Sequence, residues 1–279
     1  IYCSVTAFGP TGPYAHKPGV DPLLQARSGV MRAQGGRENP PVFLRIPVCD
    51  YTTAMLNACE ISLALYHKAK TGQGQRVETS LLQSGAFLSS DAFTAYPLRP
   101  ERRLADPGLY GLGPLDRMYL TAEGWIFLVC MKEHHWHLLC KALGRPDLSE
   151  DPRFSNEADR EAHGGTLVDI LEEKFKDRPA MEWIQLLEEM GVPCSPVEEE
   201  YVENLFTDVH SLETGIIVQK SHFELGEIEQ AGPLLNFSET PGLVGRAAPA
   251  LGQHTKEILS ELGYTSEAID DLKAMKVVG

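Results

Sequence analysis

The clearest pattern along the chain is the apolar run from Val48 through Lys70, where Met55, Leu56, Cys59, Ile61, Leu63 and Leu65 leave few polar positions. It predicts a long helix, and apolar residues on most faces predict that the helix is buried. His67, Lys68 and Lys70 suit the negative end of a helix, and Gly72 suits the left-handed residue that stops one. Asp50 or Thr52 is placed to cap its start, because a short side-chain oxygen accepts from free backbone N–H groups. Ile1 to Thr6 alternates as a buried strand does. Gln75 to Thr79 reads as a second strand, followed by a helix from about Leu81 to Phe93. Strand and helix in alternation predict a parallel α/β layer. Gly19 to Arg27 is short and mixed.

From Pro97 to Pro114 the accumulation of Pro, Arg and Gly marks a linker or open loop. Met118 to Leu120 and Trp125 to Val129 flank a Gly124-containing turn and predict a hairpin. Helices are expected near Glu133–Leu143, Thr166–Phe175 and Ala180–Met190, then strand-like runs between Gly215 and Phe237. Short helices follow at Thr255–Leu262 and Ser266–Ala274. The expected organisation is 1–106 as part of a large domain, 107–205 as a small α+β domain, and 206–279 returning to the large one.

Composition narrows the possibilities. A length of 279 residues allows a substantial core. A formal net charge of −14 disfavours nucleic acid and anionic membranes as partners. No apolar run approaches the roughly 20 residues needed to span a bilayer. The six cysteines show no Cys-x-x-Cys pair, which predicts free thiols in a reducing, cytoplasmic-type compartment. The chain opens on Ile1 inside a strand-like run, so further chain is expected ahead of it in the whole protein.

Several blocks occur in a telling order. They are Phe8-Gly9-Pro10-Thr11-Gly12-Pro13, then Cys49-Asp50-Tyr51-Thr52-Thr53, then Lys70-Thr71-Gly72-Gln73-Gly74-Gln75. Gly124-Trp125-Ile126, Asp151-Pro152-Arg153-Phe154, Gly191-Val192-Pro193 and the tail Pro249-Ala250-Leu251-Gly252-Gln253-His254-Thr255 follow. In this order the chain resembles the family III coenzyme A transferases, over their middle and C-terminal parts. The resemblance implies an α/β fold: a Rossmann-like large domain, incomplete here, with a smaller α+β domain inserted between its two chain segments. It implies an interlocked homodimer, an acyl-CoA and a carboxylate acceptor as substrates, and no permanently bound cofactor. Asp50 matches the family's catalytic aspartate. Gly111 and Gly113 fall where the family carries a mobile glycine-rich loop over the active site. Lys17 lies one residue out of register with a position that contacts CoA.

The implied chemistry is nucleophilic attack by the Asp50 carboxylate on a thioester, giving a mixed anhydride and then an aspartyl-CoA thioester. A carboxylate near pKa 4 would displace a thiolate near 8.5, a mismatch of about 4.5 units or roughly 6 kcal/mol. The tetrahedral oxyanion therefore needs stabilising donors. A helix N-terminus favours the ionised carboxylate that a nucleophile requires.

Plainer readings stand beside these. Asp50 could serve only as a helix cap, a role compatible with the nucleophile's, and Cys49 reads as a buried structural thiol. Glu133-His134-His135-Trp136-His137 reads as a helix start with solvated histidines, with no metal site. Two alternatives to transfer remain: a racemase of the same fold, and a non-catalytic remnant. The related α-methylacyl-CoA racemases carry Gly-His-Asp where this chain has Gly19-Val20-Asp21. Valine moves no proton, which disfavours the racemase.

Overall fold

Strand β1 (Tyr2–Thr6) pairs in parallel with β2 (Arg76–Ser80), in register from Tyr2 opposite Arg76 to Thr6 opposite Ser80. The structure, a computed structural model, describes residues 1–99 and 101–279; Pro100, inside the predicted linker, lies outside the described residues. Between β1 and β2 come α1 (Asp21–Ser28), α2 (Val30–Gln34) and α3 (Val48–Thr71). Helix α3 ends where Gly72 adopts φ +75° and donates its N–H to the Lys68 carbonyl. A left-handed residue costs glycine little, so the predicted stop is built as expected. Helix α4 (Leu81–Leu88) starts directly after β2, capped by Ser80, whose hydroxyl oxygen accepts from the Gln83 N–H.

Three expectations for this part need correcting. Helix α1 occupies the stretch read as short and mixed. Helix α4 stops at Leu88 rather than Phe93, and a single 3-10 turn follows at Ser90–Ala92. The Ser89-Ser90-Asp91 side chains compete for the backbone and favour an end there. The burial of α3 and β1 is the third. On α3 only Cys49, Thr53 and Ala64 are buried, while Tyr51, Met55, Leu63, Leu65 and Tyr66 are more than half exposed. Tyr2 of β1 is exposed as well. Among the described residues α3 packs on α1, α4 and β2, which cover one face of a helix that is apolar on several.

The core sits further along. Strands β3 (Gly111–Gly113), β4 (Asp116–Leu120), β5 (Trp125–Val129) and β6 (Cys194–Pro196) form an antiparallel sheet in that order. The β4–β5 pair is the predicted hairpin, closed by Gly124 at φ +78°. Alternation buries Ile126 and Leu128 of β5. Helices α5 (Glu133–Ala142), α6 (Glu157–Ala162), α7 (Gly164–Phe175) and α8 (Ala180–Glu189) complete this part. Leu167, Leu171 and Phe175 recur every four residues on α7, and Ala180, Trp183, Ile184 and Leu187 follow the i, i+3, i+4, i+7 pattern on α8. They meet Tyr119, Trp136, Leu139 and Phe154 in one apolar cluster. Inside it the Trp183 indole N–H donates to the Phe175 carbonyl at 2.8 Å, so the buried ring leaves no unpaired donor.

Residues Ile1–Val197 form one compact unit and Glu198–Gly279 a second. The second unit holds α9 (Val209–Glu213), the antiparallel hairpin β7 (Ile217–His222) and β8 (Gly226–Ala231), α10 (Thr255–Glu261) and α11 (Ser266–Ala274). Asp208 caps α9 and Thr265 caps α11 through their side-chain oxygens. No helix among the described residues is long and apolar enough to cross a membrane.

Candidate active site

Asp50 is the third residue of α3. A short connection after Gly72 carries α3 into β2, so α3 runs antiparallel to that strand and its N-terminus lies by the strand's carboxyl end. Helix α4, which begins at that same end, meets it there: Thr53 Oγ1 and Ser84 Oγ lie 2.6 Å apart. The crevice outside the carboxyl ends of parallel strands is where α/β folds bind ligands.

The start of α3 is built in an unusual way. Its N-cap position is Pro47, which has neither a side-chain oxygen to accept a hydrogen bond nor an N–H to donate one. Neither half of a capping box can form. The missing acceptor comes from α1. Asp21 Oδ2 accepts the Cys49 N–H at 2.7 Å and the Asp50 N–H at 3.2 Å. The other Asp21 oxygen accepts from Gln25 Nε2, which also donates to the carbonyls of Leu44 at 3.0 Å and Ile46 at 3.2 Å. Asp21 and Gln25 are both buried.

This arrangement corrects the expectation that Asp50 or Thr52 caps the helix. The cap is Asp21, and the carboxylate of Asp50 is exposed, with no hydrogen bond or ion pair among the described residues. Partial burial, then the Asp21 carboxylate, raises the Asp50 pKa above its ordinary value. The helix N-terminus was expected to favour ionisation; the neighbouring acid opposes it. Cys49 is buried, and burial, followed by Asp21 and Asp50, pushes its thiol up to about 11, so it stays protonated and unreactive near neutrality.

Asp21, Gln25 and Pro47 were not singled out as site residues from sequence. One signal was available: a proline just before a helix cannot cap it, which requires an acceptor from elsewhere in the fold.

Lys17 lies on the loop after β1. Its Nζ is 4.4 Å from the centroid of the Tyr14 ring, and the Arg27 side chain lies 5.1 Å from the same ring and donates to its hydroxyl at 2.9 Å. Such contacts hold a cation in place while leaving its outer side wet. The loop turns at Gly9, φ +102°, whose N–H donates to Thr6 Oγ1 at 2.9 Å. It is tied to the start of α4 by the Leu82 N–H on the Ala7 carbonyl.

Gly111 and Gly113 lie in β3, paired with β4 across a register shift. Gly113 lines a cavity of about 740 Å³ together with Arg37, Arg103, Asp116, Arg117 and Arg160; Asp50 does not border it. Arg117 and Arg160 are already engaged there. Arg117 faces Asp106 at 3.5 Å and Glu172 at 3.3 Å, and Arg160 pairs with both oxygens of Glu133, at 3.1 and 2.6 Å. Among the described residues no hydrogen bond or ion pair joins Asp50 to Lys17, Gly111 or Gly113. His137 Nε2 stands 4.0 Å from Glu133, and no group of three or more His, Cys, Asp or Glu among the described residues is placed to hold a metal ion.

These features place the chain in a class: an α/β fold with a free aspartate at a helix N-terminus beside parallel strands. The chain belongs to CoA-transferase family III, whose family model matches residues 1–255. It is 29% identical over 279 residues to the human succinyl-CoA:glutarate CoA-transferase, covering 100% of this chain and 63% of that protein. It is 28% identical over 280 residues to the succinyl-CoA–D-citramalate CoA-transferase of Chloroflexus aurantiacus, covering 100% of this chain and 69% of that one. The crystal structure of a CaiB/BaiF family protein from Brucella suis superposes with a TM-score of 0.78 at 26% identity, over 94% of this chain and 68% of that one. The chain thus spans about 63% of the length of its human relative.

Proposed function

We propose that the protein transfers coenzyme A from an acyl-CoA to a carboxylate acceptor, with Asp50 as the covalent nucleophile. The observation that carries this reading is the capping of α3 by Asp21, which leaves the Asp50 carboxylate exposed and unbonded at the end of a parallel sheet. Relatives named for succinyl-CoA as donor and for glutarate or D-citramalate as acceptor support a dicarboxylate acceptor.

The reaction balances in four steps without oxidation or reduction. An Asp50 oxygen bonds to the thioester carbon and the C–S bond breaks, giving a mixed anhydride and CoA thiolate. The thiolate attacks the Asp50 carbonyl carbon of the anhydride and expels the donor carboxylate, leaving an aspartyl-CoA thioester. The acceptor carboxylate attacks that carbonyl and again releases the thiolate. The thiolate then takes the acceptor's acyl carbon and frees Asp50. A raised Asp50 pKa narrows the gap to the leaving thiolate, which favours the first step.

Around this centre, Lys17 lies near CoA, and the segment carrying Gly111 and Gly113, held as β3 in this structure, serves as the cover over the site, its glycines allowing close approach and hinge motion. Residues 1–106 and 206–279 belong to the large domain and 107–205 to the small one. The working form is an interlocked homodimer in the cytoplasm, in keeping with six free cysteines. To test the chemistry, the intact protein is incubated with succinyl-CoA and its peptides are weighed. An adduct on Asp50, absent in inactive Asp50→Asn, is expected; full activity of that variant would overturn the reading.

A further inference from the structure

Asp21 does more than complete a helix end. One of its oxygens holds the backbone N–H groups of Cys49 and Asp50, while the other is held by Gln25. Gln25 in turn ties down the Leu44 and Ile46 carbonyls just ahead of α3. At 3% and 0% exposure, Asp21 and Gln25 form a dry relay joining α1, the approach to α3 and the first turn of α3. Hydrogen bonds in such a place hold their partners to one geometry, because water does not compete for them.

We propose that Asp21, itself held by Gln25, is a positioning residue for Asp50: it fixes the backbone from which the nucleophile projects. The role rests on the reading of Asp50 as the nucleophile. Geometry and charge act together. By accepting the helix-end N–H groups, Asp21 removes any call on the Asp50 carboxylate from its own helix, so that carboxylate faces outward. By carrying a negative charge beside Asp50, it makes a carboxylate that would otherwise be a weak nucleophile more basic. Among the described residues Asp21 is the charged group acting on Asp50. Packed against the same turn, α4 presents the uncharged Ser84 and Gly85, and the Cys49 thiol is neutral across the working range.

The test uses the intact protein with succinyl-CoA as donor and glutarate as acceptor. Asp21→Asn keeps an oxygen for the two N–H groups and loses the charge. The acidic limb of its kcat/KM profile is expected to move to lower pH, and kcat to fall by up to about 10²-fold, the effect of a small misplacement. KM for succinyl-CoA stays unchanged and the Asp50 adduct still forms. Gln25→Met removes the side-chain donor that holds Asp21, so kcat is expected to fall while KM for succinyl-CoA stays unchanged. Simple loosening of the fold would lower kcat in Asp21→Asn without moving its acidic limb, and Gln25→Met remains readable if Asp21→Asn folds poorly. Wild-type kcat in both variants with an unmoved acidic limb in Asp21→Asn would overturn the positioning role. Asp50→Asn run in parallel separates the two ideas: full activity there sinks the reading of Asp50 itself, whereas its inactivity beside a wild-type-like Asp21→Asn sinks only the role of Asp21.

Discussion

Thr53 and Ser84 stitch α3 to α4 through hydroxyl oxygens 2.6 Å apart, both buried, one turn from Asp50. Thr53 Oγ1 also lies 2.7 Å from the Cys49 carbonyl, and Ser84 Oγ lies 3.2 Å from the Ser80 carbonyl. The polar pair thus links the turn that carries the candidate nucleophile to the end of β2. Thr53→Val keeps the shape and removes the hydroxyl. Because Ser84 can still donate to the Ser80 carbonyl, the expected loss is about 1 kcal/mol, read from a shift in the urea midpoint at unchanged slope.

Gly85 sits where α1, α3 and α4 come closest. A Cβ there would lie 2.5 Å from Ser28 Oγ and 3.3 Å from Cys49 Sγ. Gly85→Ala must push the helices apart, at an overpacking cost of about 1–3 kcal/mol. Since Cys49 precedes Asp50, the substitution is also expected to lower kcat of the intact enzyme. A variant as stable and as active as the wild type would show that the three helices are not rigidly packed there.

Asp50 carries a stability cost that follows from its raised pKa. A folded-state pKa above the unfolded one means that the folded state is relatively favoured below the unfolded pKa, and that this advantage is lost as pH rises through the folded pKa. At pH 7 the ionised group therefore works against the fold. Asp50→Asn is expected to melt slightly higher than the wild type at pH 7, with the difference closing as pH falls below about 4. Equal melting temperatures at every pH would show that neither partial burial nor the Asp21 charge disfavours the ionised Asp50 in the fold.

Glu133 behaves in the opposite sense. Its hydrogen bond to Arg160, then the charges of Arg160 and His137, outweigh desolvation and hold its pKa below the usual range. A depressed pKa adds stability above the unfolded value, and that stability is lost as pH falls through the folded value. Glu133→Gln is expected to cost about 1 kcal/mol at pH 7, a modest figure because water reaches the half-exposed carboxylate. The gap from the wild type should shrink below about pH 4.3, which thermal melts across that range will read.

Much of the fold was legible because it is written locally. Gly72 stops α3, the Gly124 turn closes the β4–β5 hairpin, and the four-residue spacing of Leu167, Leu171 and Phe175 marks α7. Each signal needs only near neighbours in the chain. Helix α1 was not legible, because its eight residues have no strong apolar face and its first acid is engaged by residues 28 and 29 positions away. The exposure of Tyr51, Met55 and Tyr66 was hidden for a related reason: apolar periodicity reports which faces can be buried, not which neighbours are present to bury them.

The sequence by itself determined the family and singled out Asp50, since ordered blocks and a lone acid at a helix start are visible without coordinates. It could not say whether that acid caps its own helix or stands free. The tertiary structure decided this by bringing Asp21 and Gln25 to the start of α3, behind a proline that cannot cap. Hydrogen-bond partners are chosen by distance in space, and nothing in the local pattern around Val48 names a carboxylate on another helix.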